Sequence, residues 1–450
     1  MSFPRSVAAR RAPHILAALL ILIGCGDSGS GGGTTGGESA GGSGAGALTG
    51  GSGSGASGEG GAGGTANEGG GEPGPGAIGE WADSPGVCPM GSPQRDLSTE
   101  QDLIDASRGD GAFADDAPGT CYLIHDGTYV QDGTLLLWIT RGGTVDAPML
   151  FLGESRDGVV VQGRATTGAA HVVIKNMTFD LTGYSQAGSF NTITVLDSDD
   201  LTIDHVTLTG DCQTGFMGGH IEVENSTAVH VEACLIEQFG QCNGDGHEDH
   251  GIYLASGTDV SIVNNVIREN SSRGIQFYSP RGVLANVSVT RNRIYANGHG
   301  DQEDGIVLNA DANDVTIERN LIYGNYFSGV RFASPATNSI VVQHNTFFAN
   351  GDSSSHPSRG EINIDDPGEA VGATITKNIF AVDTTLIADC YDAAQNGWSI
   401  SDNVVFGDAD SQAACVSGSI AIDPAFVDPA AGDFHPTAAG IEAYGAYATQ

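Results

Sequence analysis

The chain has 450 residues, including 68 glycines, with 55 acidic against 18 basic side chains and a formal charge of −37. Phosphate binding needs a basic patch, so this balance excludes nucleic acid as a partner. It also opposes binding of polyanionic glycans unless a cation mediates, and it reads first as a solubility or high-salt surface.

Residues 1–25 read as an export signal. Arg5, Arg10 and Arg11 give a positive start, and residues 15–23 form an unbroken apolar run. That run is too short to span a bilayer as a helix, which takes about 20 residues, so it is the apolar region of a signal peptide. The Leu22-Ile23-Gly24-Cys25 that follows resembles the bacterial lipobox. The resemblance implies that Cys25 is diacylated and becomes the mature N-terminus. The exported protein is then lipid-anchored to a bacterial membrane, with Gly26 pointing to the outer membrane or cell surface. Residues 26–79 are a tether in which glycine fills 26 of 54 positions. Such a segment buries too little apolar surface to offset its ordering entropy. As a flexible coil it spans roughly 40 Å.

Residues 80–450 keep one composition with no second linker. That length is large for one globular core, but repeat architectures grow along an axis instead. Internal similarity is therefore the feature to seek first. One phrase, alternating apolar residues followed by Asn, recurs as Val173-Ile174-Lys175-Asn176, Ile262-Val263-Asn264-Asn265, Val289-Thr290-Arg291-Asn292 and Ile317-Glu318-Arg319-Asn320. It continues at Asn345, Asn378 and Asn403, with His205 and Cys234 in the Asn place of two further copies. The markers 176, 205, 234, 265, 292, 320, 345, 378 and 403 recur with a period near 28. A second phrase lies between them, as in Gly251-Ile252-Tyr253-Leu254, Gly274-Ile275-Gln276-Phe277, Gly305-Ile306-Val307-Leu308 and Gly329-Val330-Arg331-Phe332. Its two-residue alternation marks a short half-buried strand. Three such strands per period, with no helical stripes, predict an all-β fold: a single-stranded right-handed parallel β-helix of about 9 to 11 coils.

These residues resemble the pectate-lyase-like right-handed β-helix superfamily over about residues 120–430. The resemblance implies that Gly-Ile-x-Leu is the first strand of each coil, the phrase before Asn the second and the phrase after it the third. Asparagines then stack at the corner between second and third strands, as scaffold. His125-Asp126-Gly127-Thr128-Tyr129 is similar to the superfamily's first coil, and the run 423–429 to its C-terminal tail. Open rungs are strand edges that need covering. Ser98-Thr99-Glu100-Gln101 has the form of a capping box, opening a short N-terminal helix through Leu103, Ile104 and Ala106. Arg108-Gly109-Asp110 spells an adhesion tripeptide that chance supplies readily in such a chain, and Trp138 reads as core.

Setting Cys25 aside leaves seven cysteines. The period places Cys212 and Cys242 in one loop of neighbouring coils, and Cys390 and Cys415 in another. Cys88 and Cys121 remain as an N-terminal pair, and Cys234, in an Asn slot, is a buried free thiol. An exported protein permits such bridges.

Loop length varies mainly between third and first strands, at 240–250, 297–304 and 350–360. In related folds these loops wall a groove along the first-strand face, where saccharide lies. Outward on that face stand Thr194, Glu222, Tyr253, Gln276, Val307, Arg331 and Asn363, of which Glu222, Gln276, Arg331 and Asn363 are the substrate-binding candidates. His250, Arg273 and Asp304 each precede a strand glycine, one per rung, and with Tyr253 they form the catalytic candidate set. Asp245, Glu248, Asp249, Asp301 and Glu303 offer carboxylate oxygens suited to Ca²⁺. Elimination from a uronate needs a base and a group to neutralise the sugar carboxylate. The only lysines, Lys175 and Lys377, sit beside the Asn turn instead of on the groove. Gly298-His299-Gly300 matches one pectin-hydrolase-like motif without its companions. The expectation is a monomeric cell-surface protein that interacts with extracellular polysaccharide or surface glycan, as lyase or hydrolase. The alternative is a non-catalytic adhesin or glycan-binding module.

Overall fold

The computed structural model describes residues 78–79, 84–183, 191–212, 218–242, 249–279, 281–298, 303–309, 312–333, 338–351, 360–365, 372–382, 387–388, 396–407 and 418–449. Cys25, Asp245, Glu248, Asp301, His299, Cys390 and Cys415 lie outside them.

One rung shows how the sequence builds the whole. Asp249–Leu254 is a first strand, Gly257–Val263 a second and Val266–Arg268 a third. Ile252, Leu254, Val260, Ile262 and Ile267 alternate inward and are buried, while Tyr253, Ser261 and Arg268 face out. Each strand pairs in parallel with its counterparts one rung before and after, so that Val260 lies between Val229 and Val287. The second strands make one sheet of 12, from Gln94–Leu97 to Ser399–Ile400. About 9 turns stack into a right-handed parallel β-helix, whose inward residues form one continuous apolar core.

The corners need left-handed backbone. His171, Asp200, Asp259 and Asp314 turn the first corner, Asn264, Arg291, Arg319, His344, Lys377 and Asp402 the second, and Gln238, Glu269, Ala296 and Ala349 the third. All have φ between +52° and +59°. After the second corner comes a buried column of Asn265, Asn292, Asn320, Asn345, Asn378 and Asn403. From Asn292 onward, each Oδ1 accepts from the backbone N–H and from Nδ2 of the Asn one rung earlier, at 2.8–3.1 Å.

Two earlier markers fall one residue short of this column. Asn176 and His205 themselves take the left-handed corner (φ +61° and +52°), and buried Met177 and Val206 fill the ladder slot. Asn adopts the left-handed conformation readily, so an Asn placed one residue early serves the corner and not the ladder. Cys234 does occupy the slot. It is a buried free thiol whose pKa burial pushes up, and its N–H donates to Asn265 Oδ1 at 2.9 Å.

A second ladder, absent from the sequence reading, runs through the third corner. Asn270, Asn297, Asn325 and Asn350 are joined in the same way at 2.8–3.3 Å. It contributes to the need for the strand glycines. A Cβ on Gly251, Gly274, Gly305 or Gly329 would meet the next rung's carbonyl oxygen at 2.6–2.7 Å and an Asn amide of this ladder at 2.8–3.0 Å. Glu361 stands where the next glycine would, and its carboxylate accepts from the Asn350 N–H and Nδ2, ending the ladder.

The N-terminal end is covered by the helix Glu100–Arg108, with Leu103, Ile104 and Ala106 beneath it. Its capping box lies one residue later than the sequence suggested, between Thr99 and Asp102, because Asp102 is the acidic side chain three residues into the helix from the cap. Arg108-Gly109-Asp110 is simply the helix end, with Gly109 at φ +67°. The hairpin of Phe426–Asp428 and Asp433–Pro436 folds back on the third-strand flank, where Phe434 meets Tyr323 and Phe348. Ile78 and Gly79, assigned to the tether, pack there too. Ile78 is buried with Leu321, Phe434 and Ala446, and the Gly79 N–H donates to Asn264 Oδ1 at 3.1 Å. Cys88–Cys121 and Cys212–Cys242 are bonded, with Cα separations of 5.9 and 4.8 Å.

Candidate functional site

The first strands form a front sheet whose outward column is unbroken. Trp138, Thr166, Thr194, Glu222, Tyr253, Gln276, Val307, Arg331 and Asn363 pair in succession, one per rung. Parallel strands stand roughly 4.8 Å apart, so this column is a straight row of side chains.

Its C-terminal half is covered. Gln276 (4%), Val307 (1%) and Asn363 (2%) face outward from the sheet yet are buried. Beside them runs a second row, in which the Gly251 N–H donates to Arg273 O, the Gly274 N–H to Asp304 O and the Gly305 N–H to Ser328 O. This sets His250, Arg273, Asp304 and Ser328 on successive rungs. Arg273 Nε lies 3.0 Å from the Glu303 carboxylate, which is itself buried. Asp304 accepts from the Ser328 hydroxyl and lies 3.7 Å from Arg331, which also forks onto Asp365. Burial pushes the Asp304 pKa up to about 7 against the pull of Arg331 and Ser328. Burial, then Arg273, holds His250 well below its ordinary value, so its imidazole is neutral. His250 Nδ1 and Gln276 Oε1 are buried without a hydrogen-bond partner among the described residues.

The N-terminal half is open. Thr166 and Thr194 are half-buried. Glu222 is held by Asn191 and faces Arg281 at 3.6 Å, and Arg281 also reaches Glu224 at 2.5 Å. Burial raises the Glu222 pKa against the pull of Arg281 and Asn191. Burial, helped by Glu222, pushes Tyr253 up to about 12, so its phenol stays protonated. Its ring centroid is 5.7 Å from that of His250.

The candidate catalytic residues are therefore neighbours, but not equally accessible. Tyr253 and Arg273 are half-buried, while His250 (5%) and Asp304 (0%) are buried. Of the proposed Ca²⁺ ligands only Asp249 and Glu303 are described. Both are buried, and Glu303 faces Arg273. Among the described residues no three His, Cys, Asp or Glu side chains gather as a metal would require. Trp138 corrects the sequence reading. It is 49% exposed, with the Arg108 guanidinium 5.6 Å above its ring. Arg281, Glu224 and Asp365 were missed, since all three lie outside the repeating phrases.

The family profile described as "Right handed beta helix region" matches residues 151–302. Solved structures that are similar include the PL6 family alginate lyase AlyGC, at 14% identity and TM-score 0.37, over 78% of this chain and 56% of that one. The chain thus spans little more than half the length of that lyase. The GH136 lacto-N-biosidase from Eubacterium ramulus matches at 10% identity and TM-score 0.48, over 73% of this chain and 67% of that one. PfbA, a surface adhesin of Streptococcus pneumoniae, matches at 14% identity and TM-score 0.45, over 68% and 80%. At these identities the likeness is one of fold alone. Comparison with curated proteins finds no match.

Proposed function

We propose that this right-handed β-helix is an exported protein, lipid-anchored through Cys25, whose front face binds an extended extracellular polysaccharide. The observation that carries the reading is the outward column of the front sheet. It is straight, mostly polar or aromatic, and presents one side chain roughly every 4.8 Å along many rungs, which suits a repeating linear ligand. Fold by itself names no function, so the argument rests on these side chains.

Two chemistries fit the centre of the face. Elimination needs a base and a proton donor. The neutral His250 imidazole supplies the first and the protonated Tyr253 phenol the second. Of the two carboxyl groups that hydrolysis needs, a protonated acid and a second carboxylate as base or nucleophile, Glu222 with its raised pKa supplies the acid. Arg273 and Arg281 are both ion-paired, with Glu303 and with Glu224 and Glu222 respectively, and the 55%-exposed Arg281 is the one a sugar carboxylate would reach. The non-catalytic reading, a glycan-binding adhesin, is favoured by one specific observation: His250 and Asp304 are buried.

A polysaccharide panel, with and without Ca²⁺, separates these readings when unsaturated products and new reducing ends are followed alongside binding. The proposal expects retention of at least one polysaccharide. Turnover lost in His250→Ala and Tyr253→Phe would place the chemistry here, and unchanged turnover would remove it from these residues. Binding without either product supports the adhesin. Absence of binding throughout defeats the proposal.

A further inference from the structure

Trp138 is the one tryptophan among the described residues that is exposed. Trp398 is 6% exposed and packs edge-on against Phe332. Exposing nearly half of an indole to water is costly for the largest apolar side chain. Yet the ring is not loosely held. Its backbone N–H donates to the Ser107 hydroxyl at 3.0 Å, and Arg108 at the end of the capping helix lies over one face. A guanidinium over an indole is attracted by the ring quadrupole and fixes the plane of the ring.

Position gives this exposed ring its meaning. Trp138 pairs with Thr166, Thr166 with Thr194, and Thr194 with Glu222, so the indole heads the column that leads to Tyr253. The two threonines between are short and half-buried. No long side chain of the column obstructs the way from the indole to Glu222. Four rungs separate Trp138 from Tyr253, or roughly 19 Å at the parallel-strand spacing. This is about the length of four sugar units.

We infer that Trp138 is a distal stacking platform: the same polysaccharide that crosses Tyr253 lays the C–H face of a pyranose ring on the indole face not covered by Arg108. The inference rests on the proposed function, and it deepens that reading by fixing where the chain lies and how long a ligand the face requires. A ligand spanning both positions gains affinity over one that reaches only the centre. The occupant is an oligosaccharide and not a protein, because the track is a single row of side chains one strand wide and continuous with the polar Glu222–Arg281–Tyr253 cluster.

The test uses the secreted chain with Trp81→Phe, so that the fluorescence response comes from Trp138 with only the buried Trp398 beside it. Cello-, xylo- and galacturonate oligosaccharides of increasing length are titrated, with affinity and tryptophan emission both followed. Chains long enough to span the two positions should bind more tightly than short ones and shift the emission. Trp138→Ala should lower the affinity for long chains roughly tenfold, leave short chains unchanged, and leave the melting temperature in place because the ring is exposed. Trp138→Tyr should recover part of the loss. Equal affinity for short and long chains with no emission change would overturn the platform while leaving glycan binding intact. If none of these oligosaccharides binds, the platform falls, while the proposed function stands or falls on the polysaccharide panel.

Discussion

The two halves of the front face are built differently. Towards the N-terminus the column is open, its residues Trp138, Thr166 and Thr194 are exposed or half-buried, and the ladder slot behind it holds Met177, Val206 and Cys234. Towards the C-terminus the outward residues Gln276, Val307 and Asn363 are covered, ion pairs are buried among them, and both corners carry Asn ladders. The filling of the slot does not follow rung length, since the rungs after markers 176, 205 and 234 have 29, 29 and 31 residues and those from 265 to 403 have 25 to 33. In the C-terminal half the buried amides pair with one another and with neighbouring backbone, where an unmet buried polar group would cost about 1–3 kcal/mol.

The comparison breaks most readily at its ion pairs. Arg273→Ala takes the facing guanidinium from the buried Glu303 carboxylate in the covered half and should cost roughly 3–5 kcal/mol in urea unfolding. Arg281→Ala, in the open half and 55% exposed, should cost about 1 kcal/mol or less. Equal losses would show that the two halves are not distinct. Next come the ladder slots. Asn292→Leu removes the side-chain acceptor of the Asn265 backbone N–H, one of the two acceptors of Asn265 Nδ2 and a donor to the Ile262 carbonyl, for an expected loss of roughly 3 kcal/mol. Met177→Leu conserves volume in an apolar slot and should cost less than about 1.5 kcal/mol.

A pH effect sharpens the contrast further. Burial pushes Glu361 from 4.5 to about 8. A carboxyl whose folded pKa is raised favours the folded state while protonated. Its contribution is whole below about 4.5 and is lost as pH rises through about 8. The stability difference between wild type and Glu361→Gln should therefore move against wild type between about pH 4.5 and pH 8 and level off above that. A constant difference would mean that Glu361 does not titrate there. The smallest effect belongs to Trp138→Ala, within about 0.5 kcal/mol in unfolding, where a core tryptophan would cost about 3–5 kcal/mol.

What could be read from the sequence follows this division. Repetition exposes scaffold. The period gave the rung, the Asn265 column, the outward direction of Tyr253 and Arg331, and the Cys212–Cys242 pair. The second ladder was just as periodic, five residues after each later marker, but was overlooked because its asparagines border the loops. Asn176 was misplaced because one residue type serves both corner and ladder. The sequence does not show that Trp138 faces outward, because Leu136 and Leu137 are both buried in a strand whose register shifts near Leu135, so alternation no longer gives direction. Burial of the site escaped altogether. The burial of Gln276 and Asp304 has no counterpart in the repeat, and neither has the partnership of Arg331 with Asp365.

The most direct test places an obstacle in the track. Thr194→Trp puts a bulky side chain between the indole and Tyr253, and Thr207→Trp puts the same side chain on the third-strand sheet, where Thr207 also faces outward. Affinity for the polysaccharide retained by the wild type is then measured calorimetrically for both. The front-face account predicts that Thr194→Trp loses binding while Thr207→Trp keeps it, with both proteins melting as the wild type does. Equal binding by the two variants would contradict it.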